Sequence, residues 1–525
     1  MRDTGIQRIQ RIGRKAVLVD VASSAHARAL GAYLKTNPAP GQVDLVAAER
    51  TVLVVLDRGG RQPDAAQHIT DAQTTLLGDR EGRVVDIPTY YDGADLGTVA
   101  EALGTDVAGV IEAHSSQLWL AEFNGFAPGF VYMTGENERL SMPRRSTPRK
   151  AVPAGSVAIA DRFSAIYPRT SPGGWQLLGH TEAVMWDSSR TFPALVSPGD
   201  YVRFVPVEGT PSPRRRQHKN VPASTAVEPV LSGLVVVEPG LQTLIQDLGR
   251  PGQRERSVAP SGAADVASYL IGNELVGNER GAASLEIVFG RALVEARGDQ
   301  VLALTGASVT AEITSEHEDP RSVDGWGPFV LRDGERLRLG ASTAGVRAYL
   351  SVRGGFDTPV ELGSRSTDVL SGIGVPVVKA GDVLPVGPSP AHPVELNADP
   401  LHMPLPDETV DVVIDFGSRA DLFSEQSKNA LFDTVWTITP DSNRIGIRMR
   451  GDAQLAMIEP HELPSEGILA GAIQVPPSGQ PVVFLRDHPI TGGYPLIGIV
   501  REDSLNDLAQ LTSGNKVRFV LGEQK

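Results

Sequence analysis

SPGGWQLLGHT (171–181) and ITGGYPLIGIV (490–500) write the same string twice, Gly-Gly-aromatic-x-Leu-(Leu or Ile)-Gly, more than three hundred residues apart. Working outward, VPAGSVAIA (152–160) precedes the first copy and ILAGAIQVP (468–476) the second. Each copy then runs on to a similar last strand, PGDYVRFV (198–205) and SGNKVRFV (513–520). Four matching elements in one order imply that the two halves of the chain end in the same barrel.

At 525 residues the chain is too long for one hydrophobic core and divides into several domains. Its 55 Gly and 39 Pro are scattered between apolar runs, the pattern of many turns joining short strands. A net charge of -14 argues against a nucleic-acid partner, which needs a basic face. The absence of Cys excludes disulfides, thiolate metal sites and cysteine nucleophiles, and suits a reducing cytoplasm. The basic N-terminus lacks the apolar core of a signal peptide, and no stretch has the ~20 apolar residues of a membrane span, so a soluble cytoplasmic protein is expected, with no membrane partner.

The fold class expected is mainly β with α+β parts. Residues 1–82 alternate strand-like runs (AVLVDV, TVLVVL) with helix-like ones and read as a small α/β domain, with Ser23 or Ser24 as N-cap of the first helix. Residues 83–207 read as a β-barrel entered through a strand and a helix starting near Asp95. Residues 208–229, which hold Arg214, Arg215 and Arg216 among Pro, Ser and Thr, read as a linker. The second half divides into a first subdomain, 230–395, and a second β-barrel subdomain, 396–525.

The longer motifs are similar to a known family. VDIPTYYDGADLGTVAEALG, FNGFAPGFVYMTG, RLSMPRRSTPRKAVPAGSVAIA and IYPRTSPGGWQLLGHT resemble KipI, also called the B-type subunit of 5-oxoprolinase or allophanate hydrolase subunit 1. VEPGLQTLIQDLGRPGQ, PSGAADVASYLIGNELVGN, YLSVRGGFDTPVELGSRST and LPSEGILAGAIQVPPSGQPVVFLRD resemble KipA, the C-type subunit of 5-oxoprolinase or allophanate hydrolase subunit 2. The same pair forms the carboxyltransferase region of urea carboxylase. The resemblance implies a fused B–C protein with cyclophilin-like barrels, a separate A-type partner subunit, a small amide or lactam substrate, and ATP with Mg²⁺. A homo-oligomer is also compatible with it.

A lactam resists water, so phosphorylation of its amide oxygen would supply an activated carbon, which demands phosphate-binding groups and a positioned water. No GxxxxGK[ST] loop is present, so any ATP on this chain binds outside a P-loop. No biotin-attachment segment or biotin carboxylase segment accompanies the motifs, which favours hydrolysis over carboxyl transfer. Regulation of a kinase without catalysis, the origin of the Kip names, ranks third, because fusion would keep inhibitor and antagonist permanently together.

The matching motifs supply candidate site residues. Arg144, Arg145 and Arg149, in a Pro-rich loop, present guanidinium forks to a carboxylate or phosphate, or tie the loop to acidic neighbours. His114 matches a family histidine and is a candidate catalytic group or a structural one. Gln246, Asp247 and Arg250 bind a polar substrate or form a self-satisfied turn. Gln474 interrupts an apolar strand and reads as a partner for a substrate amide, and Asp487 as a base or metal ligand. Gly173, Gly174, Gly492 and Gly493 of the repeated turn complete the set. No histidine spacing supports zinc, and no metal ligand set is assigned. Three segments depart from the family pattern, at 371–382, 413–423 and 488–490.

Overall fold

The computed structural model describes residues 5–57, 59–72, 82–208, 232–459, 461 and 463–523. Apart from Glu208, the linker expected at 208–229, with its three arginines, lies outside the described residues.

The N-terminal unit is a four-stranded antiparallel sheet formed by Ile6–Ile12, Ala16–Val21, Thr51–Leu56 and Gln42–Ala47. Helices Ser24–Thr36 and Gln62–Thr70 accompany it, and the Ser23 side chain caps the first by accepting from the His26 amide. The near-continuous apolar runs are explained by burial on two faces. Val17, Val19, Val52 and Val54 pack in the unit's own core, whereas Ala16, Leu18, Val46 and Leu53 pack against Ile490 and Ile499 of the second half.

Two barrels follow one plan. In the first, the strand order is Gln176–His180, Ser156–Ala160, Phe163–Ile166, Val131–Gly135, Trp119–Asn124, Tyr201–Pro206, Val84–Thr89, and a single bridge between Tyr90 and His180 joins the ends. The second barrel is closed, and its order is Leu496–Val500, Ala472–Gln474, Val482–Phe484, Gly446–Arg450, Trp436–Ile438, Lys516–Leu521, Thr409–Phe416. Register repeats as well. Leu177 opposes Ala158 and Gly179 opposes Val157 across a bulge; Leu496 opposes Gln474 and Gly498 opposes Ile473 across the same bulge. Each barrel has one parallel pair, held by a two-pronged ion pair at matching positions, Arg203 with Asp86 and Arg518 with Asp411.

Between the barrels, residues 233–385 form a nine-stranded sheet around the long paired strands Gln300–Thr314 and Arg336–Val352. One helix, Val266–Leu275, is capped by Asp265 through the Ser268 amide. The halves are stitched together by polar contacts: Asp44 accepts from the amides of Gly252 and Arg254, and Arg419 pairs with Asp20 and Glu466.

Candidate functional site between the barrels

Strand alternation creates the site. Ile473 and Val475 point into the core of the second barrel, so Gln474 between them points out. The same alternation puts Arg448 outside, between the inward Ile447 and Met449. Arg448 opposes Val482, and Val482 opposes Gln474, so the three side chains form one row on the outer face.

That face floors a cleft of about 1080 Å³. The turn Thr491–Pro495 forms one rim, and Phe126, Tyr132, Arg144, Ser171 and Pro172 of the first half form the facing wall. Leu370 contributes from the middle sheet region. Tyr132 hydrogen-bonds to Ser465 and Arg144, linking the halves at the back of the cleft; burial raises its hydroxyl pKa despite the nearby Arg144 charge.

Of the residues singled out in the sequence, Gln474, Gly492, Gly493 and Arg144 meet in this cleft. Gln474 Nε2 donates to the Tyr494 carbonyl at 3.4 Å. Gly492 permits that approach, because a Cβ there would lie 3.1 Å from Gln474 Nε2 and 2.7 Å from Ile468 Cδ1. At Gly173 a Cβ would lie 2.3 Å from the Tyr167 hydroxyl, so this glycine is required by close packing in the first half; a Cβ at Gly174 beside it would meet nothing closer than the Arg145 carbonyl at 3.7 Å, and the Gly174 carbonyl accepts from the Arg145 amide at 2.7 Å.

The remaining candidates sit elsewhere. Arg145 and Arg149 both donate to Asp95, at 2.7 and 2.8 Å, and Asp95 also accepts from the Leu177 amide, so these arginines tie their loop to the start of a helix. His114 is buried in the first barrel, Nδ1 against the Tyr91 hydroxyl at 2.8 Å and Nε2 against Ser164 Oγ at 3.0 Å. Burial lowers its pKa to about 3, which keeps it neutral. Trp119 donates its indole N–H to the His114 carbonyl, and Trp436 donates likewise to Leu431, so the second copy has leucine where the first has His114. This is a core position, which fits the structural one of the two readings of His114.

Asp487 is likewise engaged in structure. It pairs with Arg444, accepts from Ser261 Oγ and takes the Val369 amide, while Arg444 also pairs with Glu286. With its oxygens so occupied inside the protein, it is not placed to act as a base in the cleft. Gln246, Asp247 and Arg250 are brought together, but as a buried loop crossing. Asp247 accepts from Gly249 N, Arg365 N, Ser364 Oγ and Ser366 Oγ; Gln246 and Arg250 bond to the carbonyls of Thr367 and Ser366. The departing segment 488–490 is also structural: His488 accepts from Arg254 through Nε2 and bonds the Pro489 carbonyl through Nδ1, and Ile490 packs in the inter-half core.

Arg448 and Tyr494 were not singled out from the sequence. The alternation in GIRMR was the available signal for Arg448, and the position after Gly492-Gly493 was the one for Tyr494.

Two like barrels enclosing an open, polar-floored cleft define the class of protein, and comparison with known proteins gives the family. Residues 256–521 match "Carboxyltransferase domain, subdomain A and B" and residues 7–196 match "Carboxyltransferase domain, subdomain C and D"; the chain belongs to this carboxyltransferase-domain family. It is 36% identical over 290 residues to the C-type subunit of 5-oxoprolinase from Escherichia coli K12, covering 55% of this chain and 90% of that protein. It is 47% identical over 129 residues to the B-type subunit of 5-oxoprolinase from Escherichia coli O157:H7, covering 24% of this chain and 59% of that protein. The crystal structure of TTHA0988 is similar throughout, with TM-score 0.81, 33% identity, and coverage of 98% of this chain and 100% of that one. The Kluyveromyces lactis urea carboxylase structure is similar over 55% of this chain and 27% of its own, with TM-score 0.51 and 30% identity.

Proposed function

We propose that this chain is the fused B–C component of an ATP-dependent amide hydrolase of the 5-oxoprolinase type, converting 5-oxoproline, ATP and water to glutamate, ADP and phosphate together with a separate A-type subunit. The observation that carries the reading is the row Gln474–Val482–Arg448 in the cleft. Gln474 offers both an amide donor and an acceptor to a lactam, and Arg448 offers a guanidinium to its carboxylate. The relatives named as B-type and C-type subunits of 5-oxoprolinase support it, as do the two family matches, which fall in different halves of the chain.

Among the described residues no group of three or more acidic or histidine side chains is arranged to hold a metal ion. Mg²⁺ carried with ATP needs only one or two protein carboxylates beside the phosphates and water, so the reading leaves the Mg-ATP step open to either subunit. This chain's part is to bind and orient the amide and to screen it from bulk water.

Carboxyl transfer to a urea-like amide is the second reading, favoured by the carboxyltransferase description of the family and by the likeness to urea carboxylase. Supplying the chain with either an A-type partner and Mg-ATP or a carboxylated biotin carrier separates the two. Lactam opening in the first mixture alone is expected; consumption of carboxybiotin in the second alone would replace hydrolysis by transfer.

A further inference from the structure

The pairing registers of the duplicated barrels match residue by residue. Gly155 and Gly471, both with positive φ, open equivalent strands, so Ala158 corresponds to Gln474. Leu177 and Leu496 oppose these two residues, which makes Trp175 the counterpart of Tyr494, each two residues earlier. Ala165 opposes Ala158 as Val482 opposes Gln474. Met133 opposes Ser164, and Met449 bonds to Pro481, so Tyr132 corresponds to Arg448 and Phe130 to Gly446.

In the first copy this outer face is filled by protein. Trp175 lies edge-on to Phe130 and Tyr132 at 5.6 and 5.4 Å between ring centroids, over a fully buried Ala158, and is itself only 4% exposed. In the second copy the two rings beneath the aromatic are replaced by glycine and arginine, and the alanine by glutamine. The space left is the cleft. Tyr494 stands at its rim, 47% exposed, and among the described residues its ring makes no aromatic contact and its hydroxyl no hydrogen bond.

We infer that a flat, amide-bearing anion occupies the volume that Phe130 and Tyr132 fill in the sister barrel, with Tyr494 packing against it as Trp175 packs edge-on against those rings and Arg448 holding its charge. This deepens the function proposed above and rests on its placing of the ligand in the cleft. The substitutions agree with the chemistry: a planar group replaces planar rings, a guanidinium replaces the ring nearest the ligand's charge, and an amide reader replaces a methyl. Tyr494 is then a specificity residue, and the repeated Gly-Gly-aromatic turn has one structural copy and one that meets ligand.

The test is calorimetric titration of the full chain, alone and with its A-type partner, using 5-oxoproline, the neutral lactam 2-pyrrolidinone, and hydantoin-5-acetate as a second flat amide anion. Wild type is expected to prefer the anions over 2-pyrrolidinone by about tenfold or more. Arg448→Gln removes that preference, Tyr494→Ala weakens every flat ligand by roughly three- to tenfold, and Tyr494→Phe binds nearly as wild type. Thermal melts of the same variants, expected to coincide with wild type, separate binding from folding. If 5-oxoproline binds but Tyr494→Ala and Arg448→Gln bind it unchanged, the inference fails and the proposed function stands. If only hydantoin-5-acetate binds, with the same dependence on both residues, the inference stands and the substrate assignment fails. Binding of none of the three overturns both.

Discussion

Trp119 donates its indole N–H to the carbonyl of His114 at 2.9 Å, the contact that Trp436 makes with Leu431 at 3.0 Å in the second barrel. A histidine in one copy and a leucine in the other, at one buried position, identify the side chain as part of the core.

His114→Ala is therefore expected to destabilise the protein by roughly 2–4 kcal/mol, through a cavity and two unpaired hydroxyls, Tyr91 and Ser164. His114→Leu, which fills the cavity, is expected to lose about half of that. Denaturant melts of the two variants check this, and ligand affinity of the folded protein should match wild type. Weakened binding by a stably folded His114→Leu would return His114 to the site.

The same residue predicts a pH dependence. His114 is held at a pKa of about 3, below its unfolded value, so the unfolded chain binds the extra proton between those values. Its neutral form is favoured above the unfolded pKa, and stability falls as pH drops from about 6.5 towards 3, by up to ~1.4 kcal/mol per pH unit from this group. The stability gap between wild type and His114→Leu should narrow over that window. A constant gap from pH 7 to 4 would show that His114 is not buried neutral.

Asp487→Asn leaves the buried Arg444 with Glu286 as its remaining carboxylate partner. Breaking a buried pair from one side costs about 3–5 kcal/mol, so a large fall in unfolding midpoint is expected, without a change in the pH optimum of turnover. A stable variant whose pH–rate profile loses one limb would instead make Asp487 a base.

Gly492→Ala probes the turn. The added methyl would meet Gln474 Nε2 and Ile468 Cδ1, so Gln474 must move. Turnover is expected to show a KM raised about tenfold, with a small effect on folding. Gly174→Ala, whose methyl would have room in the first copy, should leave both unchanged.

The duplication was legible because barrel closure constrains sequence at turns and bulges: Gly155, Gly173, Gly471 and Gly492 must be small or have positive φ, and these are the residues that match. Gln474 was legible because a polar side chain in AGAIQVP breaks an apolar run. The charged residues stayed ambiguous, because Arg145, Arg149, Asp247 and Asp487 look alike in sequence whether they face a ligand or one another; only tertiary packing supplies Asp95 for the first two and Arg444 for the last. Alternation marks Arg448 only as outward, and an outward arginine reads as solvent-facing until the first half supplies the opposite wall of the cleft.

The most direct measurement of the central claim is glutamate and ADP release from 5-oxoproline and Mg-ATP by the chain reconstituted with an A-type subunit. The account predicts equal amounts of the two products, appearing only when both proteins are present and lost in Gln474→Ala. ADP without glutamate, or full activity from the A-type subunit alone, would contradict it.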